Sequence, residues 1–136
     1  MITVIGLGNV KGDLTRRGEE EILKAAREGR KIAVRTANTL SYQTVQELNV
    51  PHVCLDEVYD RSRNFATLSK NLAKAVLSLG EDTVYLVDGA TGEDNSVKAL
   101  LKSARGKIQI IEGVSKITPL LSAVRFLILL SPSLSS

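Results

Sequence analysis

The amino-terminal run Met1-Ile-Thr-Val-Ile-Gly-Leu-Gly-Asn-Val-Lys-Gly-Asp-Leu-Thr15 constrains the fold more than any other part of the chain. Residues 2–6 are a continuous apolar segment, the pattern of a strand buried on both faces of a parallel sheet. Glycines at 6, 8 and 12 follow, and then a polar helix start. Such glycines let the backbone turn tightly at the carboxyl end of a strand and approach a ligand closely. In an open α/β sheet ligands bind at that edge, so the opening predicts a small-molecule site without saying which molecule.

Strand and helix patterns then alternate along the chain. Thr15 is placed to cap a helix running to Glu28, with Ile22, Leu23, Ala25 and Ala26 on its apolar side and Gly29 ending it. Residues 31–36 read as a second strand, 41–48 as a shorter helix broken by Asn49-Val-Pro51, and 53–55 as a brief third strand. From Asn64 to Leu79, Phe65, Leu68, Leu72, Ala75, Val76 and Leu79 recur at helical spacing. Residues 83–87 read as a fourth strand, 96–104 as a helix and 107–111 as a fifth strand. Gly113-Val-Ser115 leads into a helix to about Val124, and the apolar residues 125–130 precede a serine-rich end. The fold class predicted is α/β: a five-stranded, mainly parallel sheet with helices on both faces and right-handed crossovers. The chain of 136 residues is read as one domain, residues 1–130, with a flexible tail at 131–136.

Charge and cysteine usage exclude several function classes. Eighteen basic against fifteen acidic residues leave a net charge of +3. Arg16, Arg17, Arg27, Arg30, Lys31 and Arg35 are interleaved with Glu19, Glu20, Glu21 and Glu28, which reads as solvated helix faces. Nucleic-acid binding would want a basic stripe with stacking aromatics, and aromatics are 4% of the chain with no Trp. The single Cys54 has no intramolecular disulfide partner, and neither it nor the lone His52 sits in a metal-ligand spacing, so no metal is expected. No secretory leader is visible, and the run Phe126-Leu-Ile-Leu-Leu130 is too short to span a bilayer. A soluble cytoplasmic protein without membrane or nucleic-acid partners is the expectation.

Three turns follow strand ends and are expected along one edge of the sheet: residues 6–13, 88–95 and 112–116. Each sets glycine beside a short polar residue, which suits backbone recognition of a polar ligand. Asp13, Asp88, Glu93, Asp94 and Glu112 are candidate general bases or ribose ligands, against the plainer roles of solubility and helix capping. No Ser/His/Asp or Cys/His set is evident. Gly6-x-Gly8-x-x-x-Gly12 approaches but does not match the dinucleotide fingerprint G-x-G-x-x-G. Where that fingerprint expects an acidic residue at the end of the second strand, Arg35 stands, a residue suited at best to a 2′-phosphate. Gly12 is followed by Asp13 rather than Lys-Ser/Thr, so there is no Walker pattern.

Taken together, Ile5-Gly-Leu-Gly8 with Gly12-Asp-Leu-Thr15, Val34-Arg-Thr36, Leu55-Asp-Glu-Val-Tyr59, Val84-Tyr-Leu-Val-Asp-Gly89 and Glu112-Gly-Val-Ser115 resemble the amino-terminal half of the tetrapyrrole methylases, in particular the variant fused ahead of MazG-type nucleotide pyrophosphohydrolases. The resemblance runs from Met1 to about Ala123, and the family's second domain lies outside it. It implies an S-adenosylmethionine-dependent methyltransferase with the cofactor between two α/β domains. Carried onto this chain, it implies a cofactor site at Val87, Asp88, Gly89, Ala90, Thr91, Gly113, Val114 and Ser115, held largely through backbone groups. It also implies an acceptor site at Gly8, Asn9 and Gly12, with Asp13 as the candidate base. The acceptor expected is a small molecule, with a tetrapyrrole as the candidate that the resemblance implies. The chain departs from the family in having Gly8-Asn-Val-Lys-Gly-Asp13 for Gly-Pro-Gly-Asp-Pro, and Asp88-Gly-Ala-Thr91 for Pro-Gly-His-Pro or Gly-Asp-Pro. Two other readings stay open: a regulatory or dimerisation module that keeps the fold without the cofactor, and an NADP-type oxidoreductase domain. A lone half-cleft would expose apolar surface on residues 117–124 and 126–130, so a homodimer, or a fused or separate second domain, is expected.

Overall fold

The computed structural model describes residues 1–104 and 107–113. At its centre is β1 (Ile2–Gly6), buried at all five positions. A strand of this kind needs neighbours on both edges and cover on both faces, and it has them. On one side β1 pairs in parallel with β4 (Val84–Val87), Thr3 opposite Val84 and Gly6 opposite Val87. On the other it pairs in parallel with β5 (Ile108–Ile111), Ile2 opposite Ile108 and Ile5 opposite Ile111. Outside β4 lies β2 (Ile32–Val34), followed by the two-residue β3 (Val53–Cys54), again parallel. The sheet order is therefore β3-β2-β4-β1-β5, and every pair in it is parallel.

Alternation along the strands divides the core into two layers. On one face Ile5, Ile32, Val34, Val84, Leu86 and Ile111 are covered by α1 (Arg16–Arg27) and α2 (Tyr42–Leu48), through Ile22, Ala25 and Val45. On the other face Ile2, Val4, Ala33, Tyr85 and Val87 meet α3 (Asp56–Arg61), α4 (Phe65–Leu79) and α5 (Asn95–Ser103), through Val58, Leu72, Ala73, Val76, Val97 and Leu100. The chain moves outward from β1 to β2 and β3 under one layer and returns through β4 to β5 under the other. That division is what right-handed crossovers demand.

The helix boundaries follow local chemistry. Thr15 Oγ1 accepts from the Gly18 amide at 3.1 Å, Asn64 Oδ1 accepts from the Thr67 amide at 2.9 Å, and Asp94 Oδ1 accepts from the Ser96 and Val97 amides at 2.9 and 3.1 Å. Each satisfies amide donors that a first turn leaves without partners. α2 ends at Asn49 in a left-handed conformation, φ 53°. Two features depart from the sequence reading. α3 is a helix where none is expected, six residues long with Asp56 and Glu57 in its first turn. Phe65, the first residue of α4, is 83% exposed although its spacing puts it on the apolar side of that helix. The expected helix to Val124, the segment 125–130 and the tail 131–136 lie outside the described residues.

Candidate functional site

The chain leaves β1 towards β2 and leaves β4 towards β5, in opposite directions from neighbouring strands. Between the carboxyl ends of β1 and β4 the sheet therefore has its switch point, where open α/β sheets present a crevice. The three glycine-bearing turns meet there, on one edge, as the alternation of strands predicts. The Leu7 amide donates to the Val87 carbonyl at 2.8 Å, and the Gly89 amide donates to the Gly8 carbonyl at 3.0 Å, forming a short antiparallel bridge between the first two turns. The third turn packs onto the first. A Cβ on Gly113 would stand 2.7 Å from the Gly6 carbonyl oxygen and 2.9 Å from the Gly8 nitrogen, and one on Gly6 would stand 2.8 Å from the Gly113 nitrogen.

This alters the reading of the glycines. At Gly6 and Gly113 what the bare backbone approaches is another turn of the same chain. Gly89 is different: φ is 73°, and the nearest atom to a Cβ there is Asn9 Oδ1 at 3.9 Å. Gly12, with φ 94°, has no atom within 4 Å of that position. The surface left for a ligand is thus the rim formed by Asn9, Gly12, Gly89 and the exposed Ala90.

Asp13, the candidate base, is 5% exposed. Its Oδ2 accepts from the amides of Asn9 at 3.0 Å and Val10 at 3.2 Å, and its Cβ lies where a side chain on Gly8 would begin. In this arrangement the carboxylate shapes the first turn. In the second turn, Val87 and Thr91 are buried, while Asp88 and Gly89 are half-buried. The Thr91 hydroxyl donates to Glu112, whose other oxygen accepts from the Thr91 amide at 3.4 Å, tying the second turn to the third. Gly113 belongs to this junction, and Val114 and Ser115 lie outside the described residues.

The strongest electrostatic feature of the edge is centred on Arg35, just after β2. Its guanidinium donates to Asp88 Oδ1 and, at 2.7 Å, to the Tyr59 hydroxyl, while Nε stands 3.2 Å from Asp94 Oδ2. Asp88 and Asp94 bracket the second turn, so one guanidinium holds both ends of the segment expected to carry the cofactor. The bonding continues inward: Asp94 also accepts from the Ser96 hydroxyl, which lies 2.8 Å from the buried Tyr85 hydroxyl. Burial lowers the Arg35 pKa, but Asp88, Tyr59 and Asp94 together outweigh it and the net direction is upward. Burial raises the Tyr59 pKa, with Arg35 pulling the other way, and burial raises that of Tyr85 far more.

The sequence shows Arg35 only as a possible 2′-phosphate ligand. Its partners are 53 and 59 positions away, and only the β2–β4 adjacency brings them to it. With two carboxylates already around the guanidinium, a phosphate there would meet more repulsion than attraction. Nearby, Asp56 Oδ2 accepts from the Ala37 amide at 3.0 Å and its other oxygen accepts from the Thr36 hydroxyl, fastening the loop after β2 onto α3. The Glu93 side chain is exposed and makes no hydrogen bond or ion pair among the described residues, while its amide donates to the Ala90 carbonyl at 3.2 Å. His52 bonds to the Tyr42 hydroxyl at 2.9 Å and the Val50 carbonyl at 2.8 Å, and half-buried Cys54 lies 3.7 Å from the same hydroxyl. These are packing contacts at the far end of the sheet.

Among the described residues no group of three His, Cys, Asp or Glu is placed to hold a metal ion, and no helix is long and apolar enough to cross a membrane. No family model matches the chain, and no curated protein matches it.

Proposed function

We propose that this chain is an S-adenosylmethionine-binding domain of a methyltransferase similar to the tetrapyrrole methylases, complete when a second domain or a partner closes the cleft. The observation that carries this reading is the junction of three glycine turns at the β1–β4 switch point, with the half-buried Gly89 meeting no atom closer than Asn9 Oδ1 at 3.9 Å on the side where a Cβ would stand. Residues 87–91 and Gly113 would hold the cofactor through backbone groups, and Gly8, Asn9 and Gly12 would face a small-molecule acceptor, of tetrapyrrole class if the likeness extends that far. Methyl transfer from a sulfonium needs chiefly alignment of the acceptor with the methyl group, so a site with few free charges is adequate to it. Asp13 would then contribute by shaping the acceptor turn and as the candidate base.

Titration calorimetry with S-adenosylhomocysteine is the direct test. Weak binding is expected, because half of the cleft is contributed from elsewhere, and NADP should bind more weakly still. Gly89→Val should abolish the heat by filling the open side of the turn. Tighter binding of NADP would overturn the proposal. No heat with either ligand would favour a regulatory or dimerisation module instead. One observation favours that second reading: Glu112 and the Gly6–Gly113 contact bind the turns to each other. Association through residues 117–130 remains part of the proposal, and light scattering that finds only a species near 14.7 kDa would remove it.

A further inference from the structure

A cavity of about 620 Å³ opens between α4 and α5, on the outer side of their layer, beginning at Phe65 and Asn95. Its charge is one-sided. Lys70 and Lys74 line it from α4, Lys98 and Lys102 from α5, and no lining residue is acidic. Neither helix contains a single Asp or Glu. Among the described residues none of the four lysines has an ion-pair partner. On each helix the two lysines are four positions apart, where like charges oppose helix stability. The other long helix is built differently: α1 interleaves Glu19, Glu20 and Glu21 with its basic residues. The α4–α5 face therefore keeps a local charge excess that α1 avoids.

Between the lysines the lining is of small side chains, mostly apolar, with Ser69 and Ser103 among the alanines. Ala73 is 2% exposed at the base, and Ala66 and Ala99 flank it. Phe65, 83% exposed, stands at one end. A concave apolar floor, cationic walls and an aromatic at the mouth match one kind of occupant. We propose that this groove docks an acidic amphipathic helix of a partner protein or domain, its apolar ridge on the alanines and its carboxylates on the four lysines.

Other occupants fit less well. Single-stranded nucleic acid would want stacking platforms along the groove, and Phe65 is the one aromatic lining it. An anionic bilayer presents a broad surface, whereas this feature is a cleft. Residues 114–136 of the chain itself contain Lys116 and Arg125 and no acidic residue, so their charge has the wrong sign. Of the long helices that a second copy could present among the described residues, α1 carries four basic residues against three glutamates, and α4 and α5 carry no acidic residue.

The test uses the full chain and a fluorescein-labelled synthetic helix of about 15 residues, the span of α4, with leucines on one face and glutamates on the other. Saturable binding in the micromolar range by fluorescence anisotropy is expected, weakening as salt is raised. The same peptide with lysine for glutamate should not bind. The double variant Lys74→Glu/Lys98→Glu should lower affinity at least about tenfold, and Phe65→Ala should lower it several-fold. All three positions are on the surface, and unchanged circular dichroism will show that the variants fold. Equal binding of both peptides, or no effect of the double variant, would overturn the proposal. So would a preference for oligouridylate or for phosphatidylglycerol vesicles that the same lysine reversals abolish, or a homodimer that they dissociate. None of these readouts involves S-adenosyl ligands, so the outcome is independent of the cofactor reading.

Discussion

Arg35 shows how a single residue can organise an edge that no local pattern would identify. Its side chain is 21% exposed and faces Asp88, Asp94 and Tyr59 at once. Removing it leaves two carboxylates beside each other in partly buried positions, so Arg35→Ala should destabilise the fold by about 2 kcal/mol, below the range for fully buried pairs. Arg35→Lys keeps the charge but not the planar fork, and should recover part of that loss. Urea denaturation measures both, and a loss under about 0.5 kcal/mol for Arg35→Ala, the range of an ordinary surface substitution, would show that the cluster is only surface decoration. A second comparison separates the two uses of glycine. Gly113→Ala drives a Cβ against the Gly6 carbonyl and should cost roughly 1–3 kcal/mol. Gly12→Ala meets no atom and bears only the strain of its positive φ, about 1–2 kcal/mol at most. If the order of the two losses is reversed, the turn junction is looser than the contacts imply.

At the scale of elements, the caps decide where helices begin, and one of them does two things. Thr15 caps α1 only, so Thr15→Ala should cost about 1 kcal/mol. Asp94 caps α5 through Oδ1 while Oδ2 faces Arg35. Asp94→Ala should therefore cost more than Thr15→Ala, and Asp94→Asn, which keeps a capping oxygen, should fall between them. Thermal melts of the three variants give the ranking, and equal losses for Asp94→Ala and Asp94→Asn would mean that the cap contributes nothing. α3 shows the opposite limit. Its six residues are too few to form a stable helix alone. It exists because Val58 is buried against the sheet and Asp56 accepts bonds from the loop after β2, contacts that no periodicity within residues 56–61 announces.

Across the whole molecule, the chain's three tyrosines make the fold sensitive to base. The Tyr85 pKa is raised by burial and so is that of Tyr59; for Tyr42 the bond to Cys54 is the larger cause and burial the second. In each case the folded state keeps the phenol neutral beyond the pH at which the unfolded chain ionises. Stability from these groups is fully present below about pH 10 and is lost as the pH rises above it. The urea midpoint should accordingly fall as the pH rises above about 10, and Tyr85→Phe should flatten that fall at the expense of the bond to Ser96. A midpoint independent of alkaline pH would show that the Tyr85 hydroxyl reaches water.

Four of the five strands, their parallel character and the edge on which the turns gather are legible in the sequence, because apolar runs such as Ile2–Gly6 and Val84–Val87 and the glycines behind them are local signals. β3 is legible too, read as residues 53–55 and found as Val53–Cys54. α1, α2, α4 and α5 read from apolar spacing and capping residues within a turn or so of their ends. What the sequence leaves open is which strands are neighbours. That choice rests on burial shared between distant segments, and from it follow the pairing of Arg35 with Asp88 and Asp94, the bond from Thr91 to Glu112, and the lysine-walled groove between α4 and α5. Each of these joins residues from different crossovers. Only the order β3-β2-β4-β1-β5 brings them within reach, because a side chain's partners are set by distance in space while its local conformation is set by its neighbours along the chain.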